Sequence, residues 1–123
     1  MTVLLVALGA AVGAPARYLT DVWIQTRRDP VLPLGTMTVN VVGSLMLGLV
    51  AALSIAPGTP SWLLPLVGTG LCGALTTFST FGYETLRLIE DGSWREAGAN
   101  VGLSLALGGL ACFVGYAVGL ALA

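Results

Sequence analysis

From Pro30 to Tyr83 the chain carries no aspartate, glutamate, lysine or arginine, and from Ala97 to its last residue it again carries none. Few folds tolerate such runs in water. Crossing a hydrocarbon layer of about 30 Å takes about 20 mostly apolar residues in a helix, so the first run holds two crossings and the second holds one. A further apolar stretch, from Val3 to Ile24, precedes them and makes four. With 56% apolar and 9% charged residues among 123, against about 25% charged in an ordinary soluble domain, the chain is expected to be an all-α membrane protein. It reads as a single transmembrane domain over residues 1–123, with spans at about 3–24, 35–56, 62–87 and 97–122.

Composition also excludes several functions. A net charge of −1 with no histidine offers nucleic acid no basic patch, and most acid–base and metal chemistry lacks its usual carrier. The spans hold no nucleophile–base pair, phosphate-binding glycine loop or paired carboxylates, so the chain is not expected to be an enzyme. Cys72 and Cys112 lie far apart without companion ligands and read as small packing residues. The run Val3 to Val12 followed by Gly13-Ala14-Pro15-Ala16 has the outline of a signal-peptide core. It lacks a basic leader, however, and the apolar pattern resumes through Tyr18, Leu19, Val22, Trp23 and Ile24, so it is read as a retained first helix.

Each span carries its own polar signature. In the first, Arg17 lies late enough to snorkel or to attract anions, with Asp21 one turn on as an ion-pair partner, and Pro15 removes a backbone hydrogen bond. In the second, Thr36, Asn40, Gly43, Ser44, Leu47 and Gly48 share one face, a small and polar stripe that must meet protein or water. Asn40 offers two donors and suits either a helix-to-helix contact or a pore wall.

The third span begins near Trp62 and holds the most unusual segment, Gly70 to Phe81, where two glycines, four hydroxyls and two aromatic rings crowd together. Gly70, Gly73 and the Thr76-Thr77 pair have weak helix propensity, and irregular backbone at membrane depth survives only where it is buried in protein or lines a cavity. A helix break is expected around Gly73 to Phe78. The competing arrangement is a continuous helix whose hydroxyls bond back to i−4 carbonyls. In the fourth span Gly98, Gly102 and Ala106, then Ala111, Gly115, Gly119 and Ala123, recur every four residues and let helices approach closely. Asn100 and Ser104 begin a polar track whose next slot is Gly108.

Arg27, Arg28, Arg87 and Arg95 all fall in the first and third loops and none in loop 57–61, which predicts a cytoplasmic arginine-bearing side with both termini outside. Within the bilayer the available chemistry is a set of neutral donors, Asn40, Thr76, Thr77, Ser79, Thr80 and Ser104. Beside them Phe78 and Phe81 share a helical face. Aromatic edges are electropositive, so donors and edges together could replace the water around a small anion without holding it too tightly. Core packing is the plainer role for the two rings. Four short spans enclose little interior, so an oligomer, most simply a dimer, is expected.

Three ordered segments resemble the CrcB/Fluc fluoride channels over nearly the whole chain. They are Gly9-Ala10-Ala11-Val12-Gly13-Ala14-Pro15-Ala16-Arg17-Tyr18, Gly35-Thr36-Met37-Thr38-Val39-Asn40-Val41-Val42-Gly43, and Gly70 to Phe81 with its ending Thr-Thr-Phe-Ser-Thr-Phe. The resemblance implies an antiparallel, dual-topology dimer, with the third helix broken near its middle and two fluoride pores lined at Asn40, Phe78 and Phe81. Hydroxyls at Thr77, Ser79 and Thr80, with Ser104 on the fourth helix, would support the fluoride path. A structural sodium ion at the dimer centre would be held by the backbone carbonyls of Gly73 and Thr76. Glu84 would sit near a pore mouth, and Arg17 is the matching first-helix arginine. Such channels release fluoride passively from the cytoplasm across the cell membrane of a prokaryote and so reduce its toxicity.

Three features depart from the family pattern: Ala10 replaces a glycine, Gly108 replaces a fourth-helix hydroxyl, and the arginines crowd one side. The last feature makes a heterodimer with an oppositely oriented homologue an alternative to a homodimer. The competing functional class is a small proton-coupled multidrug exporter, a four-span antiparallel dimer needing a membrane carboxylate. Its only candidates here are Asp21 and Glu84, both near span ends. A purely structural assembly subunit is a third reading.

Overall fold

The structure, a computed structural model, describes residues 1–27 and 32–123. Among these residues it is all helical, and four helices are long and apolar enough to cross a membrane: Thr2–Arg27, Leu34–Ser54, Leu64–Glu90 and Trp94–Leu122. Arg28, one of the loop arginines, lies outside the described residues. We label the elements α1 (Thr2–Arg27), α2 (Leu34–Ser54), α3 (64–75), α4 (Phe78–Glu90) and α5 (Trp94–Leu122). The third span comprises α3 and α4, joined by Thr76 and Thr77.

Glycines decide how closely these helices approach. A Cβ on Gly48 would strike the carbonyl oxygen of Cys112 and lie 3.0 Å from the Tyr116 amide nitrogen, and one on Gly115 would strike the carbonyl of Leu45. Thus α2 and α5 touch backbone to backbone, as small residues permit in a membrane. The same holds for α1 and α3, where a Cβ on Gly9 would run into Leu66 and lie 2.7 Å from the Leu71 amide, while one on Gly70 would lie 2.6 Å from the Val6 carbonyl. Replacing Gly48 by alanine forces α2 and α5 apart. The expected cost is about 1–3 kcal/mol, read as a lower thermal midpoint of the purified protein in detergent.

Little of the chain is enclosed. The buried apolar set comprises Met37, Val39, Val50, Ala52, Cys72, Leu75, Leu88 and Ala97, whereas Val3, Leu105, Leu110 and Phe113 stand outward. In water such a surface would aggregate; against lipid tails it is matched. The four spans make this a multi-pass membrane protein. Trp23 at the end of α1 is capped by the Arg27 guanidinium, 4.6 Å from its ring centroid, a pairing suited to the headgroup level.

The third span departs most from regular helix. Its stretch Leu64–Cys72 is wound as a π-helix, a form that is rare and concentrates at functional sites. Pro65 stands at its start, where a missing amide hydrogen leaves no hydrogen bond unmade. Gly73–Leu75 then form one α-helical turn, so these residues, expected within the break, stay helical. Thr76 (φ −79°, ψ 157°) and Thr77 (φ −149°, ψ 124°) are extended, and helix resumes at Phe78. At the far end of α4, Gly92 takes a left-handed φ of 80°. The Gly92 and Ser93 amides donate to the Ile89 and Leu88 carbonyls at 3.0 and 2.8 Å, the paired bonds that close a helix on a glycine.

Candidate functional site

An interrupted helix frees backbone groups that must find partners inside a membrane. At Thr77 the partner is Asn40. Its Nδ2 donates to the Thr77 carbonyl at 2.9 Å, and its Oδ1 accepts from the Thr77 amide at 2.7 Å. An extended residue presents its N–H and C=O on the same side, as along a strand edge. A carboxamide, with one donor and one acceptor side by side, fits that edge as a neighbouring strand would. Gly43, one turn along α2, leaves room beside it: a Cβ there would collide with the Thr76 methyl group.

Thr77 also starts the next helix. Its Oγ1 accepts from the Thr80 amide at 3.2 Å and donates to Thr80 Oγ1 at 3.0 Å, with Ser79 Oγ at 3.4 Å. This is an N-cap, in which a hydroxyl satisfies one of the orphan amides of the first turn. Thr76 turns the other way, and its Oγ1 donates to the Cys72 carbonyl at 2.9 Å. The hydroxyls of Thr77, Ser79 and Thr80 therefore converge on one turn, while Thr76 closes α3.

Beside the break, Asn40, Ser44, Gly73, Thr76, Thr77 and Phe78 border a groove of about 280 Å³. Phe78 projects from the chain with 82% of its surface exposed, and its ring centroid lies 5.8 Å from that of Phe81 at a 49° tilt, a tilted aromatic pair. Ser44 Oγ donates to the Asn40 carbonyl at 2.7 Å and lies 3.7 Å from where a Cβ on Gly108 would stand. The α5 slot that lacks a hydroxyl thus faces one supplied by α2.

Not every expected residue joins this groove. Ser104 Oγ instead reaches Asn100 Oδ1 at 3.4 Å. Glu84 accepts from Thr36 Oγ1 and borders a separate cleft of about 410 Å³ that also includes Asp21, Thr80, Tyr83 and Arg87. Asp21 accepts from Gln25 Nε2 at 3.5 Å and abuts Gly35 rather than pairing with Arg17, which corrects the expected ion pair. Arg17 is half-buried.

Two participants were not foreseen. Thr85 accepts from Asn100 Nδ2 at 2.8 Å and donates to the Phe81 carbonyl at 2.8 Å; its position one turn after Phe81 was the available signal. Thr36, noted only as part of a polar stripe, holds Glu84.

The comparisons with known proteins identify the family. The family model described as "CrcB-like protein, Camphor Resistance (CrcB)" matches residues 4–116. A "Fluoride-specific ion channel FluC 1" of Frankia casuarinae is 57% identical over 128 aligned residues, covering 100% of this chain and 96% of that protein. A protein of the same description from Streptomyces avermitilis is 53% identical, covering 94% and 93%, and a "Fluoride-specific ion channel FluC" of Shewanella woodyi is 44% identical, covering 85% of each. With a family model spanning nearly its whole length and relatives this similar, the chain belongs to the CrcB family.

Proposed function

We infer that this chain is a fluoride-selective ion channel that lets fluoride leave the cytoplasm passively and so limits its toxicity. The observation that carries the reading is the extended Thr76-Thr77 segment clamped by Asn40 beside Phe78 and Phe81, in a chain 57% identical to a fluoride-specific channel. Fluoride holds its water tightly, so a path needs many weak donors in series. Asn40 supplies an amide hydrogen, Thr77, Ser79 and Thr80 supply hydroxyls, and the two rings supply positive edges. All are uncharged, so none traps the ion.

The complete conductor is an antiparallel dimer. Phe78 stands outward and the ladder Gly98, Gly102 on α5 has open space where each Cβ would be, which suits a second subunit at those faces. Dual topology follows from that arrangement. The concentration of arginines on one side gives this chain a preferred orientation, so it favours a homologous chain of opposite orientation over a second copy as the partner. The bacterial origin of the relatives supports a location in the plasma membrane of a prokaryote.

A sodium ion at the dimer centre fits the donors present. The Gly73 and Thr76 carbonyls lie where intrahelical partners run out. Among the described residues no donor reaches them, since the Thr77 amide goes to Asn40, and the space over Gly73 is open. Carbonyls freed at broken membrane helices are suited to sodium. Such an ion would neutralise the carbonyl dipoles converging from two subunits.

A proton-coupled exporter is the reading to exclude. In liposomes loaded with potassium fluoride, efflux through a passive channel is expected to start only when valinomycin releases the counter-ion and to ignore an imposed pH gradient. No fluoride efflux after valinomycin, with organic cations instead taken up along an imposed pH gradient, would overturn the proposal in favour of a multidrug exporter.

A further inference from the structure

We infer that Asn100 is a positioning residue, which holds α4 through Thr85 and so fixes where the Phe81 ring stands. The inference rests on the proposed fluoride conduction and adds a residue outside the groove. Leu88 is the buried residue of α4, so apolar packing gives this helix little to define its rotation. Three polar ties do so instead: Thr77 to Asn40, Glu84 to Thr36, and Thr85 to Asn100. The third ends on the ring-bearing residue itself.

Asn100 is 1% exposed and its Nδ2 donates to Thr85 Oγ1 at 2.8 Å. Thr85 passes the tie on, donating to the Phe81 carbonyl at 2.8 Å. Ser104 Oγ at 3.4 Å from Oδ1 steadies the amide from its other end. An amide buried this deeply faces no ion. Its effect on conduction must run through the Thr85 hydroxyl, and a small displacement of a reacting or coordinating group is costly in rate.

The test uses the full chain in liposomes, reading fluoride efflux, the fluoride-to-chloride ratio and the fluoride concentration giving half-maximal rate. Thr85→Val is expected to lower fluoride flux about tenfold and to reduce the fluoride-to-chloride ratio, whereas Thr85→Ser, which keeps the hydroxyl, stays within about twofold. Asn100→Leu should match Thr85→Val, and the double variant should be no worse than the poorer single, because groups in one chain are non-additive. Wild-type flux and ratio in Thr85→Val would overturn the inference, as would losses that multiply in the double variant. Should Asn100→Leu not assemble, the Thr85 pair decides alone. Failure of the channel reading shows as no flux in the unsubstituted chain; failure of this inference leaves that flux intact and indifferent to Thr85.

Discussion

Asn40→Asp is expected to abolish nearly all fluoride efflux while leaving the assembled protein monodisperse. An ionised aspartate keeps the acceptor for the Thr77 amide but loses the donor to the Thr77 carbonyl, and it sets an acceptor oxygen against that carbonyl. It also places a negative charge beside the path. At about 4 Å and an effective dielectric constant of about 20, the repulsion of a passing anion is about 4 kcal/mol, which corresponds to roughly 10³-fold in rate. Asn40→Leu separates the two effects. It adds no charge but strands the Thr77 peptide groups at about 1–3 kcal/mol each, so it should lower thermal stability more and flux less than the aspartate. Efflux from Asn40→Asp near that of the parent protein would remove Asn40 from the path.

Phe81→Ile is the second large effect. The side chain remains apolar and branched, so α4 keeps its place, while the electropositive ring edge and the tilted contact with Phe78 disappear. Losing the ring pair costs about 0.5–1.5 kcal/mol of stability. If the anion–edge contact is taken at about 2 kcal/mol, the worth of a desolvated cation–face contact, fluoride efflux should fall about 30-fold. Chloride flux should not rise to replace it. The measurement is the initial rate of efflux from liposomes at matched protein density, and an unchanged rate would leave Phe81 with packing alone.

Charge distribution made the membrane architecture legible before any coordinates. The uncharged run from Pro30 to Tyr83 has few other solutions, and the glycine spacing on α5 anticipated the close approach seen at Gly115 and Gly119. The irregular third span was visible as a clash between apolar context and weak helix formers. Its extent was not. Gly73 remains helical because a glycine lowers helix propensity by only about 1 kcal/mol, which packing of α3 on α1 offsets. Thr76 and Thr77 leave the helix because an acceptor and a donor on α2 receive Thr77, and no local pattern encodes a partner so distant in sequence. The π-helical winding of Leu64–Cys72 was likewise invisible, since it arises where Gly9 and Gly70 bring two backbones together.

Among the site residues, Asn40, Thr77 and Phe78 are brought together by the resemblance, and they share one groove. Ser104 was grouped with them as another neutral donor, yet its hydroxyl turns to Asn100. Spacing places a residue on a face of its own helix but says nothing of which neighbour that face meets. Arg17 and Asp21 show the same limit: one turn apart, they had the geometry for an ion pair, and the approach of Gly35 to Asp21 directs the carboxylate elsewhere.

A chain with no charged residue among those bordering its groove is expected to conduct fluoride and to discriminate against a larger halide. Liposomes containing the purified protein and loaded with equal potassium fluoride and potassium chloride test it most directly, with both anions followed by ion-selective electrodes after valinomycin is added. Rapid fluoride release with chloride retained is the predicted result. Parallel release of both anions, or retention of both by correctly assembled protein, would contradict it.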